Sequence, residues 1–328
     1  LLHCKLKDTS AWDTLPKPFM EQIKAANRNE AAAEMLREQE IRQVIDKLGA
    51  VDSHPLIFKG TALAYSLYAL PHLRSRCDTD LLCPDREAAD NAWMALEQLG
   101  YQRPLTVSGN FVSHQFTCYR TGPMGMTHAL DIHWHISNRP AVARAFSYQE
   151  LAGRAEPVSA LGPMAKTLAP MDAMLLACAH RIGHKLEGME NRLIWLYDID
   201  LLAQSLSPGQ WQRLPAYAHE KKLASVCLDG LERTREYFDT QMPQEILAAL
   251  AEKSEDEAFT PETEGSRWQT EVSSFRNLPG WKERLGLLKE HLFPPGDYML
   301  QKYRASNRLL LPWLYLKRIA HGVIKMSR

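Results

Sequence analysis

A short apolar stretch leads directly into Lys59-Gly60-Thr61, and this feature restricts the fold more than any other part of the chain. Residues 56–58 are uniformly apolar, as in a short buried strand, and residues 62–70 have the composition of a helix that Pro71 ends. A glycine where a helix begins lets a phosphate approach the exposed backbone N–H groups. The pattern therefore predicts an anion-binding turn at Gly60 and Thr61, with an ordinary helix cap by Thr61 as the alternative.

Two carboxylates follow this unit. Asp78 and Asp80 begin the next apolar stretch, which we expect to form a strand over residues 79–83. Residues i and i+2 of a strand point to the same side, so the two side chains converge. Adjacent carboxylates repel each other unless a cation lies between them, and oxygen ligands suit Mg²⁺ or Mn²⁺. The pair predicts a divalent metal site, although a solvated acidic strand end would have the same sequence.

A third carboxylate, Asp131, lies in one of two extended runs, about 111–119 and 128–136, that flank a glycine-containing loop. Runs of this kind predict an antiparallel strand pair. Asp131 would complete a two-metal site and help to deprotonate an attacking hydroxyl. The outward-facing polar side of an edge strand is the alternative interpretation. In the second run, Leu130, Ile132, Trp134 and Ile136 are expected on one face, and Asp131, His133 and His135 on the face of a cleft.

The order of predicted elements divides the chain into a mixed part and a helical part. Strand, helix, strand, helix and a strand pair over residues 51–140 indicate an α+β unit with a small mixed sheet. Helical periodicity dominates beyond residue 140. We therefore predict an N-terminal helical segment (1–50), the α+β core (51–140), a helical domain (141–253), a linker (254–266) and a C-terminal helical segment (267–328).

The composition argues against several classes of protein. The chain carries 39 basic and 39 acidic residues, so no global field attracts it to nucleic acid or to an anionic membrane. Its six cysteines are scattered without a C-x-x-C motif, which favours free thiols in a reducing cytosol. The first residues lack the apolar core of a signal peptide, and no apolar run approaches the roughly 20 residues that span a bilayer. These features predict a cytoplasmic protein.

Two histidines, His180 and His184, have the i, i+4 spacing of metal-binding histidines on one helix face. The position at which a zinc protease has its glutamate is Arg181, and no third ligand is evident in the sequence. We therefore favour a packing role, or a place in the wall of a nucleotide pocket, over a zinc site.

The C-terminal residues 298–328 contain seven basic side chains and no acidic one. A basic amphipathic segment can lie on a membrane surface or bind RNA. Pro312 is expected to interrupt the amphipathic pattern, so we favour docking of a terminal helix on the helical domain. The basic residues are Lys302, Arg304, Arg308, Lys317, Arg318, Lys325 and Arg328, and the docking side chains would be Leu309, Leu311, Trp313 and Leu316.

Together the motifs resemble those of polymerase-β-like nucleotidyltransferases over about residues 20–205. The similarity is greatest to bacterial uncharacterised nucleotidyltransferases, which are related to antitoxin and abortive-infection nucleotidyltransferases. One departure is Thr61, because the wider superfamily more often has serine or glycine there; threonine keeps the hydroxyl. The matching residues are, in order, Lys59, Gly60, Thr61, Arg74, Asp78, Asp80, Leu81, Leu82 and residues 130–134, with His180, Arg192, Trp195, Leu196 and Asp198 as a further similar stretch.

The resemblance implies a polymerase-β-like nucleotidyltransferase fold, with a small mixed sheet and helices, followed by an all-helical region. It also implies that ATP or another NTP binds with its triphosphate at Gly60 and Thr61. An acceptor hydroxyl would then attack the α-phosphorus and release pyrophosphate. In this reading Asp78, Asp80 and Asp131 are the catalytic and metal-binding residues for Mg²⁺ or Mn²⁺, and Lys59, Gly60, Thr61, Arg74 and His133 bind the nucleotide.

The sequence does not identify the acceptor, and it does not decide whether the protein catalyses transfer at all. A protein side-chain hydroxyl, an RNA end and a small hydroxylated metabolite are all candidate acceptors, and the neutral charge argues against a long RNA footprint. The rival hypothesis is a nucleotide-sensing or partner-binding module that keeps the fold without turnover. Loss of a metal carboxylate would favour that rival, and the three expected carboxylates are all present in the sequence.

Overall fold

The structure is a computed structural model that describes residues 1–107, 109, 111–252, 257–264 and 266–326. A mixed sheet lies between two layers of helices, which confirms the predicted α+β class. In spatial order across the sheet, the strands are β3 (Gln115–Thr121), β4 (Thr127–His133), β2 (Asp78–Leu82), β1 (Leu56–Phe58), β6 (Lys166–Thr167) and β5 (Glu156–Pro157).

Helices account for most of the remaining chain. Most of the predicted N-terminal helical segment (1–50) is one continuous helix, Lys17–Gly49, whose apolar stripe is buried against the sheet. In chain order the helices are α1 (Leu2–Leu6), α2 (Ser10–Asp13), α3 (Lys17–Gly49), α4 (Lys59–Ser66), α5 (Arg86–Gln98), α6 (Pro140–Ala145), α7 (Tyr148–Gly153), α8 (Pro170–Gly183), α9 (Leu193–Ser205), α10 (Pro208–Glu220), α11 (Ala224–Phe238), α12 (Gln244–Leu250), α13 (Arg267–Arg276), α14 (Trp281–Leu292), α15 (Gly296–Lys302) and α16 (Leu311–Met326).

Strand β1 passes into helix α4 without an intervening loop. The helix begins at Lys59, three residues earlier than predicted, and Lys59 itself has a left-handed backbone with φ of +54°. At its other end α4 stops at Ser66, and Pro71 opens a short 3-10 turn instead of ending the helix directly. The first-turn N–H groups of α4 therefore lie immediately at the end of a buried strand.

The sheet register brings the predicted carboxylates onto neighbouring strands. Strand β2 pairs antiparallel with β1, so that Phe58 lies opposite Asp80, and parallel with β4, so that Asp80 lies opposite Asp131. Strands β3 and β4 form the predicted antiparallel pair. Directly opposed residues project to the same side of a sheet. Asp80 and Asp131 therefore share one face with Phe58, and His133, two residues after Asp131, shares it too.

Both faces of the sheet are covered, which explains the uniformly apolar sequence of β1. Leu56 and Phe58 belong to a core that includes residues from α8 to α12, whereas Ile57 belongs to a second core with α3 and α5. The face that carries Asp80 thus looks toward the helices of the second half of the chain.

No break in packing marks the predicted boundary at residue 140 within the described residues, because the first of these cores contains side chains from both sides of it. Strands β5 and β6 come from the region expected to be all-helical and add to the sheet edge. The predicted domain boundaries remain a proposal. Part of the predicted linker 254–266, namely residues 254–256 and 265, lies outside the described residues.

The C-terminal helices correct one expectation. Leu309, Trp313 and Leu316 are 85%, 56% and 67% exposed, so they do not dock, whereas Leu314 is buried. Trp313 and Leu316, three residues apart, share the exposed face of α16. Leu309 lies in the 3-10 turn before this helix, and Leu311, in its first turn, is half-buried. Pro312 lies in the first turn of α16, where proline is compatible with a helix, and so does not interrupt it. Of the basic residues, Arg328 and the side chain of Lys325 lie outside the described part.

The C-terminal helices also contact the α+β core. The Glu290 carboxylate on α14 accepts hydrogen bonds from the backbone N–H groups of Phe111 and Val112, both at 2.9 Å. These two residues lie in the segment that leads into β3.

Throughout the described residues, every helix is too short or too polar to qualify as a bilayer-crossing segment.

Candidate active site

Three side chains converge where β2 and β4 run side by side. The possible ligand atoms of Asp80, Asp131 and His133 all lie within 4.8 Å of one another. His133 Nε2 is 2.9 Å from Asp80 Oδ1, and the Lys59 ammonium donates to the same oxygen at 2.6 Å. The parallel register places the two carboxylates side by side, and the strand–helix junction brings Lys59 to them.

Strand β3 fixes the orientation of Asp131. Thr117 lies opposite Asp131 in the register and donates from Oγ1 to Asp131 Oδ1 at 2.5 Å. Gln115 donates from Nε2 to the other carboxylate oxygen at 2.8 Å. These donors hold the carboxylate plane in one direction, as the partners of a metal-binding or proton-accepting carboxylate commonly do. The polar–apolar alternation of residues 115–118 is the sequence signal that could have identified this pair.

Asp78 lies outside this cluster, at the mouth of the same cleft. It opens β2 opposite Ala129 and projects to the same side as Asp80, two residues on. Although its side chain reaches solvent, the surrounding protein and the negative charges of Asp80 and Asp131 raise the pKa of Asp78 to about 6. The three predicted carboxylates thus line one cleft, two in contact range and one at its edge.

The inner carboxylate is held in its charged form. Burial alone would raise the pKa of Asp80, but the Lys59 ammonium and the hydrogen bond from His133 hold that pKa well below its usual range. Burial and the neighbouring Lys59 charge lower the pKa of His133, which favours the neutral imidazole. Within the described residues, the buried Nδ1 of His133 has no hydrogen-bond partner.

The donor set of the cluster fits a divalent cation. Asp80 and Asp131 offer the oxygen ligands that Mg²⁺ and Mn²⁺ prefer, and His133 adds an imidazole nitrogen. Lys59, next to Asp80, shows that this carboxylate is placed to hold positive charge. Asp78 supplies a further carboxylate at the mouth. His180 and His184 belong to no group of three or more possible metal ligands among the described residues.

Gly60 and Arg74 lie together in the wall of the cleft. A Cβ added at Gly60 would lie 3.5 Å from Arg74 Nη2, an ordinary van der Waals contact, so the guanidinium lies directly beside the turn. The charge of Arg74 is already engaged, because its Nε and Nη2 donate to both oxygens of Asp198 on α9 at 2.8–3.0 Å. Tyr68 donates to the same carboxylate at 2.8 Å. Arg74 therefore connects the β1–α4 turn to the helical part of the chain, a partnership that the sequence did not reveal.

Thr61 is placed differently from the expectation. Its side chain is fully buried and does not line the cleft. The hydroxyl oxygen lies 3.0 Å from Thr79 Oγ1 and 3.2 Å from the Asp78 carbonyl, and it accepts a hydrogen bond from Arg76 Nε at 3.0 Å. Arg76 in turn donates to Glu34 on α3. The hydroxyl therefore braces the start of β2 from inside, while Gly60 faces the cleft.

Replacement of Thr61 by valine is expected to lower the free energy of unfolding by about 1–3 kcal/mol, because buried polar partners lose their bond. NTP affinity should stay unchanged, since the hydroxyl faces away from the cleft. Urea denaturation and calorimetric NTP titration measure the two quantities, with Thr61→Ser as the control that keeps the hydroxyl. A loss of NTP affinity at unchanged stability would contradict this placement.

The other histidines considered in the sequence analysis lie in different places. His135 turns away from the cleft and packs its ring on His114, with centroids 4.5 Å apart, because β4 ends at His133 and the strand alternation no longer applies. His180 and His184 line the cleft from α8 and its C-terminal end, together with Trp195 from α9. The cleft has a volume of about 960 Å³ and is closed on a third side by residues of α1 and α3.

A carboxylate cluster beside a strand–glycine–helix turn, in an open cleft of an α+β sheet, is the site expected of a nucleotidyltransferase. The family model described as uncharacterised nucleotidyltransferase matches residues 1–239, and the chain belongs to this family. Membership supports nucleotidyl transfer as the general activity and a nucleotide as the general substrate.

Individual proteins give no further information on the site. No match is found among curated proteins. A crystal structure of an antigenic nucleotidyltransferase-like protein from Paracoccidioides brasiliensis is 14% identical and aligns over 68% of this chain and 95% of its own, with a TM-score of 0.40. A likeness of that size carries no argument about the site.

Proposed function

We propose that the protein transfers a nucleoside monophosphate from an NTP, with ATP as the first candidate, to an acceptor hydroxyl in a reaction that depends on Mg²⁺ or Mn²⁺. The observation that carries the proposal is the contact group of Asp80, Asp131 and His133 next to Lys59 and Gly60 in one large cleft. A cleft of about 960 Å³ is at the upper end of the usual range for small-molecule sites, so it has room for an NTP and part of an acceptor.

The chain supplies binding, charge and a proton acceptor. Lys59 and the first-turn N–H groups at Gly60 bind the triphosphate, where a helix N-terminus favours anions. Asp80 and Asp131, with Asp78 at the mouth, hold the divalent cation, which when bound supplies Lewis-acid stabilisation of the attacking and leaving oxygens. Neutral His133 keeps Asp80 in position through its hydrogen bond.

Asp131 accepts the proton of the acceptor hydroxyl while the hydroxyl oxygen forms its bond to the α-phosphorus. The bond between the α-phosphorus and the bridging oxygen breaks, and pyrophosphate leaves with that electron pair. Gln115 and Thr117 keep Asp131 directed toward the cleft during this step. The acceptor is a protein hydroxyl, an RNA end or a small hydroxylated metabolite.

Incubation of the protein with each α-labelled NTP, Mg²⁺ or Mn²⁺ and cell lysate tests the proposal. We expect label on one acceptor class and release of pyrophosphate, both abolished by a chelator. Nuclease and protease treatment and a size cut-off identify the acceptor class. Metal-dependent NTP binding without transfer to any acceptor would favour the sensing module, and absence of NTP binding would overturn the proposal.

A further inference from the structure

Three aromatic rings from α8 and α9 form one wall of the cleft. The rings of His180, His184 and Trp195 contact one another pairwise, with centroid separations of 4.7, 4.9 and 5.1 Å. The guanidinium of Arg192 lies 4.8 Å from the centre of the Trp195 ring. All four residues line the cleft. The described mechanism uses none of them.

The local fold holds these rings in place. His180 and His184 are one helical turn apart at the end of α8, and Trp195 lies in the first turn of α9. His184 Nδ1 is 3.2 Å from a carboxylate oxygen of Glu187, which limits rotation of the imidazole. Trp195 and the two histidines are partly rather than fully buried, so ring surface remains accessible from the cleft.

The wall presents ring surface rather than a second charged site. Burial, with the nearby charge of Lys59, lowers the pKa of His180 to about 3, and burial also lowers the pKa of His184. Both imidazoles are therefore neutral near neutral pH. Neutral rings beside a guanidinium plane are the surfaces on which nucleobases stack in proteins that bind nucleic acid.

The position of the wall suits the nucleoside end of an NTP. Helix α8 packs against α4, the helix that begins at Lys59, so the rings extend the cleft from the triphosphate side. Asp131 lies two strands away from β1, on β4, where the acceptor hydroxyl must approach. The triphosphate and the acceptor thus occupy the sheet side, which leaves the α8–α9 wall for the base.

We propose that His180, His184 and Trp195 form the stacking site for the nucleobase of the NTP, an assignment that rests on the proposed nucleotidyltransferase function. Stacking recognises a planar ring and tolerates different bases, since every base has a π-face. The four common NTPs should therefore compete for the cleft. Base preference, where it exists, comes from other contacts.

Calorimetric titration of the purified full chain with each NTP and with inorganic tripolyphosphate, all with Mg²⁺, tests the assignment. Trp195→Leu keeps apolar bulk but removes the π-face, and is expected to weaken NTP binding at least about fivefold, the lower end of measured base–aromatic stacking. Tripolyphosphate affinity should not change, because it has no base. Trp195→Phe should retain most NTP affinity. Trp281→Leu, at an exposed tryptophan outside the cleft, is the matched control.

The outcomes separate this proposal from the one on which it rests. Wild-type protein that binds neither NTP nor tripolyphosphate overturns the proposed function. Wild-type protein that binds both, with NTP affinity unchanged in Trp195→Leu, overturns the stacking site alone. An equal loss for NTP and tripolyphosphate also overturns it. Should Trp195→Leu fail to fold, His184→Ala at its half-buried position gives the same comparison, and unchanged NTP affinity there counts against the proposal.

Discussion

Asp131→Asn is expected to slow nucleotidyl transfer by about 10²–10⁴-fold while NTP affinity changes little. Asparagine has the shape of aspartate, so the strand pair should keep its register, but it cannot accept the acceptor proton. In the proposed mechanism the base acts on the acceptor, whereas the triphosphate is bound by Lys59, by the N–H groups at Gly60 and by the cation that Asp80 would hold. Single-turnover transfer of label and calorimetric NTP titration measure the two effects separately.

Two further variants give this experiment its controls. Asp80→Asn should lose metal-dependent NTP binding as well as transfer, because Asp80 contacts both Lys59 and His133 in the cluster. Asp90→Asn removes a carboxylate of α5 that pairs with Arg86 and Arg103 and does not line the cleft, so it should change neither quantity. If Asp131→Asn lowers binding and transfer in equal proportion, Asp131 is chiefly a metal ligand and the base lies elsewhere, with His133 as the next candidate.

Asp198→Ala is expected to lower the free energy of unfolding by about 3–5 kcal/mol. The change leaves the Arg74 guanidinium buried without its carboxylate and removes the acceptor of the Tyr68 hydroxyl. Both members of the pair are nearly inaccessible to solvent, so water cannot replace the lost partner. Urea denaturation followed by circular dichroism measures the loss.

Two further variants serve as controls for the loss of stability in Asp198→Ala: one breaks an exposed ion pair, and the other replaces both members of the buried pair. Asp297→Ala breaks the exposed contact with Arg308 and should cost about 1 kcal/mol or less. Arg74→Met with Asp198→Leu replaces the buried pair by apolar side chains of similar size and should recover most of the stability lost in Asp198→Ala. A loss below about 1 kcal/mol in Asp198→Ala would show that the pair does not stabilise the packing of the helical part on the core.

The central strands of the fold could be predicted from local patterns in the sequence. Strand β1 has the predicted bounds, the strand of Asp78 and Asp80 differs by one residue, and the β3–β4 pair was recognisable from two extended runs around a glycine-containing loop. Strand β1 is short, follows Pro55 and is buried on both faces, which gives an uninterrupted apolar signal, whereas β3 alternates polar and apolar residues around a buried face. The sequence analysis paired Asp78 with Asp80 and added Asp131 from the alternation of its strand, whereas in the structure Asp80 groups with Asp131 and His133, and Asp78 lies at the edge of the cleft.

Features that depend on distant partners could not be predicted. Arg74 and Asp198 are 124 residues apart, and nothing in either neighbourhood identifies the other. The two-residue strands β5 and β6 have no periodicity to detect. Thr61 satisfies the pattern of an anion-binding turn, yet its hydroxyl faces inward because Arg76 and Thr79 meet it there. The predicted docking of Trp313 is wrong because it treats Pro312 as a break in the helix, whereas Pro312 lies in the first turn of α16.

The hydrogen bonds of Glu290 connect the C-terminal helices to the chain segment that leads into β3. The family model matches residues 1–239, so α14 lies outside the matched part of the chain. Its carboxylate nevertheless holds the chain just before β3, the strand whose Gln115 and Thr117 aim Asp131. A change on α14 can therefore reach Asp131, although this helix contributes no residue to the cleft. Without the Glu290 carboxylate, the segment before β3 would need another anchor, or the Asp131 carboxylate would be less well directed.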